Sequence, residues 1–381
     1  FGSSLGSWCA RAPNREGRWV CACPTQPPLA STPPQGEMSS NASHPPSSLK
    51  SGKIKVDKKL GAGCFGEVWL GTLTDTDNKV AIKFEDTMVA RGPQLEHEVV
   101  VLEALDRSQQ NLQGFSRLHD KGQEGRYSYL VMDLLGKSLE DRMSELPSKE
   151  RRFSVQTAVL VANQLLHRIE YLHSRCFVHR DIKPENFMFG REARKHHLYV
   201  IDFGLSKRYY TAQHVQFRSK LSLTGTARYA SINAHKGHEQ SRRDDLEAIG
   251  HMLFYFIRGS LPWSGLAATT QEEKYRKICE KKEEVSVEKL GEGLPAAFHK
   301  YLTAARGLDF QERPNYVGMR KLFDDVRGDV PDHAFQWFQD KDVGALEPLK
   351  YDDQLRQPDD KAGSKKKGGC LGCFCASNVR D

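Results

Sequence analysis

No run in the 381 residues approaches the ~20 consecutive apolar residues of a membrane span, and the first residues lack the continuous apolar stretch of a secretion signal. A cytosol-facing protein is expected. Cysteine is sparse where a disulfide framework would need it: Cys64, Cys176 and Cys279 are scattered through the central region, while Cys9, Cys21, Cys23, Cys370, Cys373 and Cys375 sit near the ends. That distribution fits a reducing compartment. Charge of one sign is also weak. Lys and Arg number 56 against 49 Asp and Glu, a net charge of +7 that favours acidic or phosphorylated partners and anionic surfaces but falls well short of a nucleic-acid footprint. No internal repeat is present.

What is present is an ordinary globular middle between Pro-, Ser- and Gly-rich ends. The chain opens on Phe1 instead of Met, which fits either a fragment or an over-extended reading frame with Met38 in "GEMSSNASHPPSS" as a candidate start, and residues 1–52 are expected to form a disordered tail. From Ile54 the pattern is strand-like: "KIKVDKKLGAGCFGEVWLGTL" alternates around a glycine cluster, "DTDN" marks a hairpin turn, and "KVAIKFE" is a further β-rich run. A helix begins at Pro93, with Leu95, Val99, Leu102 and Leu105 on one face, and "YSYLVMDLL" reads as a buried strand.

Beyond Gly136 helices dominate. The clearest runs through "VQTAVLVANQLLHRIEYLHS", where Val155, Ala158, Val159, Ala162, Leu165, Leu166, Ile169 and Leu172 recur at helical spacing. "LYVIDFG" contains a short strand, and "RDDLEAIGHMLFYFIRG" is apolar enough to be a buried helix. The expected class is α+β: a small β-rich lobe over 53–135, a larger helical lobe over 136–340, a tail over 341–381, and a cleft where Leu135 and Gly136 join the lobes.

"GAGCFGEV" sets Gly61, Gly63, Gly66 and Val68 in the spacing G-x-G-x-x-G-x-V, which lets a backbone hairpin lie close over phosphates without Cβ clashes; Ala62, Cys64 and Phe65 complete that loop. A dinucleotide-binding turn is the alternative, but these glycines lie between two strand-like runs, not between a strand and a helix. "VAIK" puts Lys83 on the next strand, where an unpaired ammonium is costly, and Glu98 is the chosen partner; Glu96 projects about 200° away around a helix of ~3.6-residue period.

"VHRDIKPENFMFG" packs charged and polar groups inside an apolar frame. Phosphoryl transfer from ATP needs an oriented acceptor hydroxyl, an offset for phosphate charge, and a held Mg2+. Asp181 is assigned to accept the hydroxyl proton, Lys183 to neutralise the transferring group, and Asn186 to offer an oxygen to the metal; Asp202 in "IDFG" is the second metal group. Glycine loop, strand lysine, helix glutamate, "HRDIKPEN" and "DFG" occur in the order of the protein-kinase signature set.

On these motifs the sequence resembles a eukaryotic protein kinase, and more narrowly the casein kinase I family. In "GTARYASINAHKGHEQSRRDDLEAIG", Ser231, Ile232 and Asn233 stand where most protein kinases carry "APE"; "LLGKSLED", "PENFMFG" and "GSLPWSGL" are also similar, and the resemblance covers about Lys53 to Asp340. It implies a two-lobed kinase fold, ATP with Mg2+, and transfer to Ser or Thr, with Lys183 two residues after Asp181 pointing the same way. It further implies an adenine pocket of Leu60, Val68, Ala81, Met132, Asp133, Leu135, Met188 and Ile201, with Asp245 anchoring the catalytic loop from beneath. Acidic or phosphorylated protein substrates are implied as well, with Arg228 receiving the anion. Ala267 to Glu273 departs from the family in offering no lysine before Lys274, so weaker dependence on a priming phosphate is expected.

The terminal "GSKKKGGCLGCFCASNVRD" has three cysteines without a fourth ligand, a poor zinc site. S-acylation of Cys370, Cys373 and Cys375, with Lys365, Lys366 and Lys367 attracted to an anionic leaflet, is expected to give a membrane-associated fraction of a cytoplasmic protein; a basic tail with unmodified thiols is the alternative. An inactive scaffold of the same fold would be expected to lose Lys83, Asp181 or Asp202, all of which are present, and a small-molecule phosphotransferase would lack the Ser231 to Asn233 segment.

Overall fold

The computed structural model describes residues 10–13, 19–22, 44–63, 66–90, 92, 94–106, 114–339, 343–352 and 355–363. The chain divides into two compact units, one formed by residues up to Glu103 with 116–134, the other by 104–115 with everything from Leu135. The first is a β-sheet unit and the second is mainly helical, the α+β architecture expected from the sequence.

In the first unit, β1 (Ala10–Pro13) pairs antiparallel with β2 (Trp19–Ala22). The main sheet contains β3 (Ser48–Leu49), β4 (Ile54–Gly63), β5 (Gly66–Leu73), β6 (Lys79–Asp86), β7 (Leu118–Glu124) and β8 (Tyr127–Asp133), ordered β3-β4-β5-β6-β8-β7 with every neighbour antiparallel. Alternation decides its faces. Val80, Ile82 and Phe84 join Tyr127, Tyr129, Val131, Leu49, Ile54 and Val56 in a buried apolar cluster. The directly opposed pairs Val68 with Lys83 and Ala81 with Met132 lie on the other face. The helix α1 (Gln94–Asp106) buries Leu95, Val99 and Leu102.

Two features differ from the sequence reading of this unit. The tail expected through residue 52 gives way to structure before its end: Leu49 is fully buried in the apolar cluster and pairs with Ile54, and β1 pairs with β2 further upstream. The strand β7 is also additional. Its sequence, LHDKGQE, has one large apolar residue, and it lies at a sheet edge, where charged side chains discourage pairing with other chains.

The second unit is built on α3 (Val155–Ser174) and α5 (Arg242–Arg258), both buried along most of their length. Ser154 caps α3 by accepting from Thr157 N at 3.1 Å, and Gly259 ends α5 in the left-handed region at φ 76°. Around them lie α2 (Leu139–Glu145), α4 (Ile232–His235), α6 (Gln271–Glu284), α7 (Val287–Gly291), α8 (Ala296–Arg306) and α9 (Tyr316–Arg327). Two small antiparallel ribbons matter for the site: β9 (Phe177–Val178) with β12 (Lys207–Arg208), and β10 (Phe187–Phe189) with β11 (Leu198–Val200). The tail assigned from residue 341 is docked in part, since within 343–363 Gln357 is 1% exposed and Glu347 pairs with Arg194. Among the described residues no helix is long and apolar enough to cross a membrane.

Gly66 carries a testable constraint. It has φ 134°, and a Cβ there would sit 1.9 Å from Phe84 O, whereas a Cβ at Gly61 or Gly63 would meet no atom of the described residues within 4 Å. Gly66→Ala is expected to destabilise the sheet unit by about 1–3 kcal/mol or more from strain alone, while Gly61→Ala leaves thermal stability nearly unchanged. Thermal unfolding of the two variants checks the contrast.

Candidate active site

The first unit supplies a paired lysine. Lys83 Nζ donates to Glu98 Oε2 at 2.5 Å, with the two side chains 12% and 3% exposed. Strand alternation turns Lys83 away from the apolar cluster, and the 13-residue helix α1 places Glu98 on its buried side, leaving Glu96 exposed. Burying either charge alone would be expensive, so each fixes the other. Val68, Ala81 and Met132 share the lysine's face of the sheet, Leu60 is 47% exposed on β4, and the Asp133 carboxylate accepts from Arg117 N at 2.8 Å and bonds His119 Nε2 at 2.7 Å. Gly61, Ala62, Gly63 and Gly66 form the ends of the β4–β5 hairpin, with Gly63 opposite Gly66. Among the described residues no atom restricts a side chain at Gly61 or Gly63, so packing against them does not require glycine at either position. Cys64, Phe65 and Pro93 lie outside the described residues.

The second unit holds the "HRDIKPEN" segment. The helix α3 delivers the chain to β9, and the next turn is hung on one buried carboxylate. Asp245, in the first turn of α5, accepts from His179 N at 2.7 Å, Arg180 N at 2.9 Å and His173 Nε2 at 2.9 Å. Tyr316 OH lies 2.6 Å from His173 Nδ1. A neutral imidazole satisfies both contacts, donating from Nε2 and accepting at Nδ1, and burial does lower the His173 pKa. For Asp245 burial acts to raise the pKa, but the hydrogen bonds donated by the His173 side chain and by the backbone at His179 help outweigh it, and the pKa lies below the ordinary 3.8. Its stabilising contribution is therefore present above that value and lost only as pH falls through the lower folded value.

Asp181 itself is 4% exposed and fully oriented. Its Oδ2 accepts from Lys183 Nζ at 2.5 Å and Asn186 Nδ2 at 3.2 Å, and its Oδ1 accepts from Thr226 Oγ1 at 2.7 Å. Burial would lower the Lys183 pKa, yet Asp181 and Asp202 together raise it, so the ammonium stays charged. Thr226, which the sequence analysis did not single out, bonds this carboxylate directly. No local pattern marks it, because its partner Asp181 lies 45 residues away in sequence.

Strand pairing brings Asp202 to Asn186. In the β10–β11 ribbon Phe187 opposes Val200, and Ile201 N donates to Asn186 O at 3.0 Å, so Asp202 follows directly. Asp202 adopts φ 64° and Arg180 φ 66°, uncommon for non-glycine residues and concentrated at functional turns. Asn186 Nδ2 donates to Asp181 O at 2.9 Å as well as to Oδ2, which commits its amide nitrogen, so that its oxygen is the atom that could face a metal. One carboxylate and one amide oxygen, with no thiolate or imidazole, suit a hard cation completed by phosphate oxygens. Among the described residues no group of three or more His, Cys, Asp or Glu could hold a metal alone. Of the remaining adenine-pocket assignments, Met188 is central in β10, Ile201 follows β11, and Leu135 opens the second unit.

Arg228 is exposed, with its guanidinium 5.8 Å from the Tyr229 ring centroid and 5.7 Å from that of Tyr255. Carboxylates share this surface. Burial, then the charge of Glu185, pushes Glu140 up to about 6, and Tyr255 OH donates to Glu140 Oε2 at 3.3 Å. The C-terminal Cys370, Cys373 and Cys375 lie outside the described residues.

The Glu140 shift has a measurable sign. A carboxyl raised from 4.5 to about 6 stabilises the fold fully below its unfolded value and loses that contribution as pH rises to the folded value. Wild type is expected to lose about 1–2 kcal/mol between those limits, a loss that Glu140→Gln avoids. Denaturant titrations of both proteins across that range read the difference.

The family model described as protein kinase domain matches residues 54–314. That stretch contains the hairpin glycines, the Lys83–Glu98 pair, the turn hung on Asp245 and the Asp202 strand, and it spans more than half of the chain. The chain belongs to the protein kinase domain family, and it is a phosphotransferase.

Proposed function

We propose that this kinase transfers the γ-phosphate of ATP to serine and threonine hydroxyls of acidic or already phosphorylated proteins, in the manner of casein kinase I enzymes. The observation that carries the reading is the Asp181 carboxylate, buried and held by Lys183 at 2.5 Å on one oxygen and Thr226 at 2.7 Å on the other. Such a carboxylate is poised to accept a proton from an incoming alcohol. Lys183, kept cationic beside it, would offset charge on the transferring phosphoryl group. Asp202 and Asn186 would hold Mg2+, which supplies charge to offset the phosphates. Lys83, fixed by Glu98, would contact phosphates beneath the glycine hairpin.

The casein kinase I reading is supported by the Ser231 to Asn233 segment. Ser231 caps α4 by accepting from Ala234 N at 3.0 Å and donates to Asp244 Oδ1 at 2.5 Å, an alternative way to close the activation segment. Arg228 would receive the substrate anion. The charges of Glu140 and Glu185 offset part of its field, and Ala267 to Glu273 adds no lysine, which together support weak dependence on a priming phosphate. The tail cysteines Cys370, Cys373 and Cys375 would be S-acylated, with Lys365, Lys366 and Lys367 adding about 1 kcal/mol each at an anionic leaflet.

Mg-ATP phosphate transfer to casein should be robust for wild type and fall by about 10²–10⁴ for Asp181→Asn, the usual range for a general base. Equal rates for the two proteins contradict the assignment. Peptide pairs with and without an upstream phosphoserine should differ by about tenfold or less in kcat/KM, and a hundredfold gain on priming overturns weak dependence. For the tail, replacing all three cysteines by Ser should shift the protein from membrane to soluble fractions; unchanged recovery refutes acylation.

A further inference from the structure

Residues 343–363 follow the stretch matched by the kinase family model and contribute nothing to the site described above. They nevertheless complete buried bonds of the helical unit. Arg242, at the start of α5, is 1% exposed, and its guanidinium donates to Asp359 Oδ1 at 3.1 Å, Asp359 Oδ2 at 2.9 Å and Gln311 O at 2.9 Å. Asp359 is the only carboxylate that pairs with Arg242 among the described residues. A guanidinium buried this deeply depends on that partner, because removing one member of a buried pair leaves an uncompensated charge.

Arg242 lies three residues before Asp245 and leads to it by contacts as well. Its guanidinium sits 5.0 Å from the Tyr209 ring centroid; Tyr209 OH donates to His173 O at 2.9 Å, and His173 Nε2 donates to Asp245 at 2.9 Å. A second line starts at Tyr351, whose ring stacks on His167 at 3.6 Å and lies 5.2 Å from the Arg168 guanidinium. Arg168, 3% exposed, donates from Nε to Leu198 O at 3.1 Å, on the strand that leads to Asp202. Between these two points Gln357 donates to Glu170 O at 3.4 Å on α3, and Arg313 pairs with Asp360.

We propose that residues 343–352 and 355–363 form an intramolecular clamp that positions the catalytic turn from behind, with Asp359 as a positioning residue acting through Arg242. The inference rests on the chain being an active kinase, so the test has one readout that needs no activity. The amides of His179 and Arg180 donate to Asp245, and their hydrogen exchange reports the turn directly.

The experiment compares full-length wild type, Asp359→Asn, Asp359→Glu and the surface control Lys321→Ala, below the melting transition of each. Asp359→Asn should lower kcat about tenfold, leave KM for ATP within about twofold, and speed exchange of the 179–180 amides by about tenfold. Asp359→Glu should recover most of both effects, and Lys321→Ala should match wild type. If Asp359→Asn does not fold, Tyr351→Ala provides the second arm and should speed exchange across 198–202. Folded variants with wild-type exchange and wild-type kcat overturn the clamp. Should wild type itself lack activity, the proposed function fails, while exchange still decides the clamp.

Discussion

Three donors converge on the Asp245 carboxylate, and the geometry of the catalytic turn depends on them. His179 N and Arg180 N cannot find strand or helix partners because the chain is turning sharply, with Arg180 in the left-handed region at φ 66°. Such a conformation costs on the order of 1–3 kcal/mol, and hydrogen bonds to a charged acceptor return about 1.5–3 kcal/mol each. The balance favours the turn only while the carboxylate is present and ionised. His173 completes it by filling a remaining lone pair and connecting α3 and α9 through Tyr316.

From that fixed turn the other groups follow by short covalent distances and two strand pairings. Asp181 is the next residue after Arg180; Lys183 and Asn186 fall within the same loop and bond to it. The β10–β11 register then delivers Asp202 beside Asn186. The Lys83–Glu98 pair belongs to the other unit and is built by a separate rule, alternation on a strand against the period of a helix. The first unit thus holds a paired, nearly buried cation, and the second a buried carboxylate beside an amide and a second carboxyl group.

Much of this was legible in the sequence because the signals were local. The helix α3 was read over the same residues that it occupies, since its apolar spacing is uninterrupted, and Glu98 was chosen over Glu96 by helical period alone. Signals were absent where function depends on distant contact. Thr226 bonds Asp181 across 45 residues, and nothing in "TGTARY" by itself points to a carboxylate. The strand β7 has charged residues where strands usually have apolar ones, because it lies at an edge. The docking of 343–352 and 355–363 was likewise invisible, since a sequence such as LEPLKYD reads as tail until Tyr351 finds His167.

The dependence on Asp245 can be measured directly with an isosteric change. Asp245→Asn keeps the shape but replaces a charged acceptor of three bonds with a neutral amide, half of which is a donor. The single-turnover rate constant for phosphate transfer, normalised to the folded fraction, should fall by about a hundredfold or more, with the ATP KM within about threefold of wild type. A folded variant with a near wild-type rate constant would show that the catalytic turn stands without its carboxylate, contrary to this account.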